Sequence, residues 1–298
     1  MTVEAIRYFK HKEIDKKKWD DCLDHAINAM PYAYSWYLDI VAEKKWDALV
    51  AGDYEAVFPL PFKNRIVFKQ LYQPFFTQQS GLFYRTKKYA GKTDDFIQAI
   101  PTQFKKRNLQ LNTHNVISSV AIHHKMKLTH HLDLGDSYAK ISSAYSNNLK
   151  RNLKKAAAAQ LIFTDQVAVT QLIGLREKYL TGELKGVQDA SDTARLKKLI
   201  QKAIQLDKGF IVGVKDASKQ LMASVFFLKS NGQIIYLSAV SSDAGKELHA
   251  MSFLIDNMIR QNAGSDKIFD FEGSMIPGVA RFFKSFGANE MHFPVLVK

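Results

Sequence analysis

The sequence predicts an α/β (α+β) chain built of two successive units, each with a mixed, twisted sheet flanked by helices. Segments with helix-spaced apolar residues alternate along the chain with short apolar runs that are typical of strands. The same order of elements occurs twice: a strand, two helices, three strands, a helix and a strand. This repeated order indicates an internal duplication, although little sequence identity survives between the halves.

The length of 298 residues and the apolar fraction of 46% favour a globular protein of two domains. We predict an N-terminal domain at 1–135, a basic linking helix at 136–160 and a C-terminal domain at 161–298. Residues 1–18 alternate charged residues with short apolar pieces, so no signal peptide is predicted. No later apolar run is long enough to predict a membrane-spanning segment. The sequence does not indicate the oligomeric state.

Cys22 is the only cysteine in the chain, so no internal disulfide can form. It shares a helix-spaced apolar stripe with Trp19 and Met30, which favours a buried structural thiol over a nucleophile. A cytoplasmic location is the simplest expectation for such a chain.

The net charge of +13 is concentrated in one segment. Between Ala56 and Leu132 the chain has twelve lysines and arginines, and its only acids are Asp94 and Asp95. This surplus favours an anionic partner, such as a phosphate-bearing substrate, RNA or an anionic surface. The alternative is an incidentally basic surface.

A long helix is predicted from Ser137 to Ala159, with Asp136 or Ser137 as its cap. Opposite its apolar stripe lies a basic face, for which we predict nucleic-acid or phosphate contacts. The alternative is a solubilising face that also links the two domains. The basic residues are Lys150, Arg151, Lys154 and Lys155.

The segment from Phe269 to Gly287 combines a strand end, a polar loop and a short helix. Asp270 and Glu272 follow the strand, and Arg281 and Lys284 lie three residues apart, on one face of the helix. Strand ends that open into polar loops are common places for binding and catalysis. The alternative is a core helix whose charges are merely solvated.

In the second half, a three-stranded meander leads into a helix and then a parallel strand. This arrangement predicts a gap between the fourth and fifth strands, where unpaired backbone groups can bind a ligand. Tyr236 and Ser238 lie two residues apart on the fourth strand, so we expect them to share a face and to contact an acyl donor. The alternative for Tyr236 is a place in the core.

Two segments resemble the Fem-type (FemAB-like) transferases, which are tandem enzymes of the GNAT (acyl-CoA N-acyltransferase) fold. They are the run 145–163, which contains Ser146-Asn147-Asn148-Leu149-Lys150-Arg151-Asn152, and the run 269–287, which ends in Phe283-Lys284-Ser285-Phe286-Gly287. The resemblance implies two GNAT-like domains. It also implies transfer of an aminoacyl group from a tRNA ester to an amine of a peptidoglycan precursor.

The resemblance further implies that Lys284 lies near the reacting carbonyl. On this basis we predict that Lys284 stabilises negative charge beside Arg281, and that Asp270 or Glu272 accepts or orients the amine proton. The alternative for Asp270 is a simple ion pair with Lys284 or Arg281. In the first half, where Ser35-Trp36-Tyr37-Leu38 is also similar to the family, further substrate-binding candidates are Trp36, Gln78 and Gln79.

The chain departs from the family pattern at Glu272, where the Asp-Phe-Gly-Gly pattern commonly has glycine, and it shows no long helical arm in its second half. The loop Ser241–Ala250 contains one glycine and two acids, Asp243 and Glu247, so it is a poor cradle for a pyrophosphate. Acetyl-CoA is therefore possible but disfavoured as a cofactor. In the histidine pairs at 123–124 and 130–131, the two residues of each pair point to opposite faces of an extended chain, so no metal site is predicted.

Three functions remain open at this point. The first is transfer of an acyl or aminoacyl group to an amine, with aminoacyl-tRNA or another anionic acyl donor and an amine-bearing acceptor as partners. The second is acetyl-CoA-dependent N-acetyl transfer. The third is non-catalytic ligand binding on the same fold.

Overall fold

The computed structural model describes residues 4–180, 190–230, 232–273 and 276–298. The elements of the first part of the chain are β1 (Ile6–Phe9), α1 (Lys16–Asp24), α2 (Ser35–Val41), β2 (Trp46–Ala51), β3 (Ala56–Asn64), β4 (Lys69–Leu71), β5 (Phe83–Tyr84), α3 (Thr93–Gln98), β6 (Phe104–Gln110) and β7 (His124–Asp133). The elements that follow are α4 (Tyr138–Ser143), α5 (Asn147–Ala158), β8 (Ile162–Thr164), α6 (Val169–Tyr179), α7 (Ala190–Gln205), β9 (Gly209–Lys215), β10 (Leu221–Ser230), β11 (Gln233–Ser241), α8 (Asp243–Glu247), α9 (Ala250–Asn262), β12 (Ile268–Asp270), α10 (Pro277–Lys284) and β13 (Asn289–Val297).

The chain forms two compact units. One consists of Met1–Leu128 together with Met291–Lys298, and the other is Thr129–Glu290. The last strand, β13, therefore packs mainly with the first unit, although it lies at the end of the second half of the sequence. The boundaries at 135 and 160 stay a prediction.

In the first unit, β1, β2, β3 and β4 pair antiparallel in sequence order, and β4 then pairs with β6 in parallel. The last strand, β13, pairs antiparallel with β6, with Leu296 opposite Leu109. β2 and most of β3 are buried on both faces, as expected for strands covered by other elements. The core contains Phe58 and Phe96, whose rings stack 6.1 Å apart.

In the second unit, β8, β9, β10 and β11 pair antiparallel in sequence order, and β11 then pairs with β12 in parallel. The residues of β7 from Thr129 onward complete this unit by pairing antiparallel with β12. α9 packs its buried side, which includes Leu254 and Ile255, into the core against Phe227 and Phe269. Both units thus have an antiparallel meander followed by a parallel strand, which confirms the predicted fold class.

Two helices predicted in the second unit are each interrupted in the structure. The helix predicted over 137–159 is two helices, since Ser146 starts a new one by accepting a hydrogen bond from the Leu149 N–H at 3.2 Å. The helical spacing of Leu248, Met251 and Leu254 predicts a single helix from Lys246 to Asn262, but in the structure this segment breaks at His249, which has a φ of +55°. The sequence predicts a helix over 167–181 and a turn over 230–232, and residues 181 and 231 of these elements lie outside the described residues, as does residue 274 of the segment 269–287.

Two predictions in the first unit were also wrong in length. α1 ends at Asp24 instead of reaching Met30, because Asn28 bonds to the backbone of Leu82 and Tyr84 at 2.8 and 3.1 Å. The sequence also predicts a helix from Asp94 to Lys106, but α3 ends at Gln98, and residues from Phe104 onward form β6 beside β4. In both cases a partner distant in sequence competes with the helix.

Among the helices within the described residues, none is both long enough and apolar enough to cross a membrane.

Candidate functional site

The predicted gap between the fourth and fifth strands is present in the second unit. β11 and β12 pair at three positions, the last of which joins Ile235 to Asp270. Beyond this point the chain follows β7 instead: the Phe271 N–H donates to the His130 carbonyl at 2.9 Å, and the His130 N–H donates to the Glu272 carbonyl at 3.3 Å. The rest of β11 is therefore left without β12 as a neighbour.

A β-bulge in β11 changes which side chains face this gap. Ser238 is the partner of Phe226 on β10, but Tyr236 is the partner of Phe227, so Leu237 is an extra residue. Because Phe226 and Phe227 are adjacent on one strand, their partners lie on opposite faces of the sheet. The prediction that Tyr236 and Ser238 share a face was therefore wrong.

The environments of these two side chains reflect the opposite faces. The Tyr236 ring lies 5.8 Å from the Phe283 ring of α10, and burial raises the pKa of its hydroxyl. The buried Ser238 hydroxyl accepts a hydrogen bond at 2.9 Å from Nη1 of Arg176 on α6, and burial lowers the pKa of this arginine. Tyr236 thus contacts α10, the helix that carries Lys284, whereas Ser238 contacts α6.

Asp270 is completely buried at the end of β12. Its Oδ1 accepts hydrogen bonds from the Thr129 hydroxyl and the Glu272 N–H, both at 2.8 Å. Its Oδ2 lies 3.4 Å from Nε2 of His131. The carboxylate therefore holds the loop after β12 against β7.

Glu272 has a φ of +59°, in the left-handed region that favours glycine. This is the position at which the family pattern commonly has glycine. The chain therefore keeps the left-handed turn that glycine favours, but it has a glutamate at this position. Its half-buried side chain lies two residues past the end of β12.

Lys284, at the end of α10, forms an ion pair with Glu290, with 2.6 Å between Nζ and Oε1. The lysine side chain is 51% exposed. The same Glu290 oxygen lies 4.0 Å from Nε2 of the buried His130, and burial lowers the pKa of this histidine. The predicted alternative was a pair between Lys284 and Asp270, but the acid beside Lys284 is Glu290.

Neither His130 nor Glu290 was predicted to lie beside Lys284. Glu290 follows the Phe-Lys-x-x-Phe-Gly pattern by three residues, and this closeness in sequence was the available signal. His130 is far from α10 in sequence, and only the pairing of β7 with β12 places it there.

A cleft of about 500 Å³ in the second unit brings the two family-like segments together. Arg281 and Lys284 of α10 line it, together with Asn148 and Asn152 of α5 and Ser252 of α9. The other lining residues are Ser146, Leu149, Gly278, Phe282 and Ser285. Two segments separated by more than a hundred residues thus line one cleft, to which Arg281 and Lys284 bring positive charge.

The four basic candidates of α5 are exposed and are not part of the lining of this cleft. The Lys150 ammonium donates to the Ser143 carbonyl at 2.8 Å, and Arg151 approaches Asn148 at 3.5 Å. Lys154 and Lys155 are exposed on the same helix. The polar residues that α5 contributes to the cleft are the asparagines.

The remaining candidates lie in the first unit. The Trp36 ring is half-buried and lies 5.4 Å from the Tyr37 ring. Gln79 is fully buried: its Nε2 donates to Gln78 Oε1 at 2.9 Å, and its Oε1 accepts from the Thr113 N–H at 3.1 Å. The Gln79 side chain therefore bonds its own loop to the backbone at Thr113. Gln78 is half-buried beside it.

The loop 241–250, which we considered for coenzyme A, forms the short helix α8. Ser242 caps this helix by accepting a hydrogen bond from the Gly245 N–H at 3.0 Å. A Cβ at Gly245 would lie 2.1 Å from the Met222 carbonyl oxygen, so the glycine permits close packing against β10. Within the described residues, no group of three or more His, Cys, Asp or Glu side chains is placed to hold a metal ion.

No protein-family profile and no curated protein sequence matches the chain. Several solved structures are similar to the chain in fold. The chain is similar to FemX, with a TM-score of 0.67 and 10% identity over 100% of this chain and 98% of that one. It is also similar to L-PGS from Bacillus licheniformis, with a TM-score of 0.56 and 10% identity over 95% and 92% of the two chains.

A third similar structure is the C-terminal domain of a putative lysylphosphatidylglycerol synthetase from Agrobacterium fabrum, with a TM-score of 0.55 and 11% identity over 95% and 91% of the two chains. Similarity at this level of identity concerns the fold. The resemblance to Fem-type proteins is thereby confirmed for the fold of the whole chain.

Proposed function

We propose that this protein is an acyltransferase of the GNAT superfamily that moves an acyl or aminoacyl group to an amine. The reaction centre is the cleft formed by α5, α9 and α10. The observation that carries the proposal is the convergence of Lys284 and Arg281 with the Asn148–Asn152 face of α5 at one cleft. These are the two segments that resemble the Fem-type transferases.

In this proposal the Lys284 ammonium stabilises the oxyanion that forms when an amine attacks the acyl carbonyl. Glu290 fixes the direction of the lysine side chain through the 2.6 Å ion pair. Arg281 lies on the same side of α10 and binds a phosphate of the donor, for which a guanidinium is well suited.

Asp270 is a positioning residue, because it is buried and bonded to Thr129 and to the Glu272 backbone. Glu272, which is half-buried at the loop, is the candidate that accepts the proton of the attacking amine. Tyr236 contacts the acyl group from the β11 side, since its ring packs against Phe283 of α10.

The proposed donor is aminoacyl-tRNA or another anionic acyl carrier, and the proposed acceptor is an amine such as that of a cell-wall precursor. The net charge of +13 and the exposed cations of α5 favour a polyanionic donor. The packing of Gly245 against Met222 disfavours acetyl-CoA, because the amide of this glycine is already used by Ser242.

Thermal unfolding tests the donor. Bulk aminoacyl-tRNA is expected to raise the unfolding midpoint, because a ligand that binds the folded state stabilises it, and the shift should fall steeply with salt. A large shift with micromolar acetyl-CoA would instead favour acetyl transfer. If neither donor changes the midpoint, the proposed donor is wrong, and non-catalytic ligand binding on the same fold is favoured instead.

The Lys284→Ala variant tests the mechanism. Loss of one oxyanion-stabilising group should lower the rate of transfer to an amine by about 100-fold or more. Lys198→Ala is the matched control, because Lys198 is an exposed lysine of the same unit outside the cleft. Equal transfer rates for Lys284→Ala and the wild type would refute the role of Lys284.

A further inference from the structure

A hairpin tip in the first unit exposes two aliphatic side chains. The turn between β3 and β4 is closed by the Arg65 N–H, which donates to the Phe68 carbonyl at 2.8 Å. The two central residues of this turn, Ile66 and Val67, are 103% and 77% exposed. Tight hairpin turns usually carry Gly, Asn or Asp at these positions. Two β-branched apolar residues are therefore placed where they bury little surface in this unit.

Positive charge surrounds the tip. Lys63 on β3 is the cross-strand partner of Gln70 on β4, and Gln70 is in turn the partner of Lys106 on β6. Residues in one such row lie on the same face of a sheet, so both lysines flank Gln70. Arg65 adds a third cation, since its Nε and Nη2 donate to Gln70 Oε1 at 2.9 and 2.8 Å.

These three cations have no acidic partner in the described part of the chain. The acid of this region, Asp47, forms its ion pair with Lys69 at 2.6 Å. Lys63, Arg65 and Lys106 are all exposed. The hairpin therefore combines an apolar tip with a face of uncompensated charge.

An apolar tip beside cations matches an anionic bilayer, in which acyl chains lie directly beneath lipid phosphates. RNA would interact with the cations, but its phosphates would not favour burial of Ile66 and Val67. We propose that the hairpin 63–70 is a docking surface for anionic phospholipid membranes. Ile66 and Val67 enter the headgroup region while Lys63, Arg65 and Lys106 contact lipid phosphates. This inference does not depend on the proposed transfer activity.

Sedimentation with vesicles tests the proposal. The full chain should bind vesicles of phosphatidylglycerol and phosphatidylcholine, bind much more weakly to pure phosphatidylcholine, and be released by salt. Combined Ile66→Ser and Val67→Ser substitutions should weaken binding by about tenfold or more, because the apolar contact is lost. Val120→Ser is the matched control, since Val120 is 100% exposed but lies in a loop outside the hairpin.

A fluorescence measurement locates the contact. Cys22 is the only cysteine and is buried, so Val67→Cys introduces a single exposed thiol for an environment-sensitive dye. Anionic vesicles should shift the emission of the dye at position 67 to the blue, and a dye on Val120→Cys should show no shift.

Two results would overturn the inference. The first is vesicle binding by the Ile66→Ser, Val67→Ser variant that equals wild-type binding. The second is no vesicle binding, together with loss of tRNA binding in a Lys63→Gln, Arg65→Gln, Lys106→Gln variant, which would assign the surface to nucleic acid. Unchanged unfolding midpoints are expected for all variants, because every altered side chain is exposed.

Discussion

The two units end their parallel strand pairs in different ways. In the first unit, the space beyond β4 is filled by the loop that follows it. Gln73 accepts a hydrogen bond from the Gln110 N–H at 2.9 Å and donates to the Thr77 carbonyl at 2.8 Å. Ser80 then forms a parallel bridge with Leu111. A neutral amide side chain and a returning loop thus close this gap.

In the second unit, the equivalent gap between β11 and β12 is bordered by ionisable groups. Asp270 ends β12, and His130 and His131 lie beside it on β7. The bulge at Leu237 turns Tyr236 toward α10. Two units with the same order of strands therefore differ at this gap: a neutral amide fills it in the first unit, and ionisable side chains border it in the second.

The largest difference between the gaps should appear when their polar residues are truncated. Asp270→Ala leaves the Thr129 hydroxyl and the Glu272 N–H without their buried acceptor, so it should lower the free energy of unfolding by about 2–4 kcal/mol. Gln73→Ala, its counterpart in the first unit, should cost only about 1–2 kcal/mol. Urea unfolding of both variants measures the difference.

Asp270→Asn is the control for this comparison, because the amide oxygen can still accept both hydrogen bonds. It should lose less stability than Asp270→Ala. Equal losses for Asp270→Ala and Gln73→Ala would show that the two gaps are held with similar strength.

A smaller effect is expected at Glu272, where the backbone has a φ of +59°. Glycine adopts this conformation more easily than alanine, so Glu272→Gly should be more stable than Glu272→Ala by about 1 kcal/mol. Both variants remove the same side chain, and their difference therefore reports on the backbone alone. Equal midpoints in urea would argue against left-handed backbone geometry at this turn.

The smallest expected effect is a pH dependence that only the second gap can show. Burial lowers the pKa of His130 below its ordinary value of 6.5, while Glu290 and Asp270 raise it and Lys284 lowers it. His130 therefore binds a proton more readily in the unfolded chain than in the folded one. The free energy of unfolding keeps its full contribution from the neutral His130 above pH 6.5 and loses this contribution as the pH falls below that value.

His130→Phe keeps a ring beside Phe283 and removes the titration. The wild type should therefore lose more stability than this variant between about pH 7.5 and pH 5.5. Urea unfolding at the two values measures the loss. Parallel losses for the two proteins would mean that other groups cause the pH dependence.

Much of the fold was predictable because its signals are local. Asp15 caps α1 by accepting from the Lys17 and Lys18 N–H groups, just before the helix-spaced stripe of Trp19 and Cys22. Ser137, one of the two predicted caps, caps α4. The strand that ends at Asp270 was also predicted, since a short apolar run precedes the polar loop. These features depend on neighbours within a few residues.

Local sequence patterns were enough to predict the order of elements, the fold class and the segment that carries Lys284. Tertiary contacts produce the bulge at Leu237, the packing of Gly245 on Met222, and the position of His130 and Glu290 beside Lys284. The physical reason is that caps and periodicity act over a turn or two of chain, whereas bulges, close approaches and buried charges arise from packing between residues far apart in sequence.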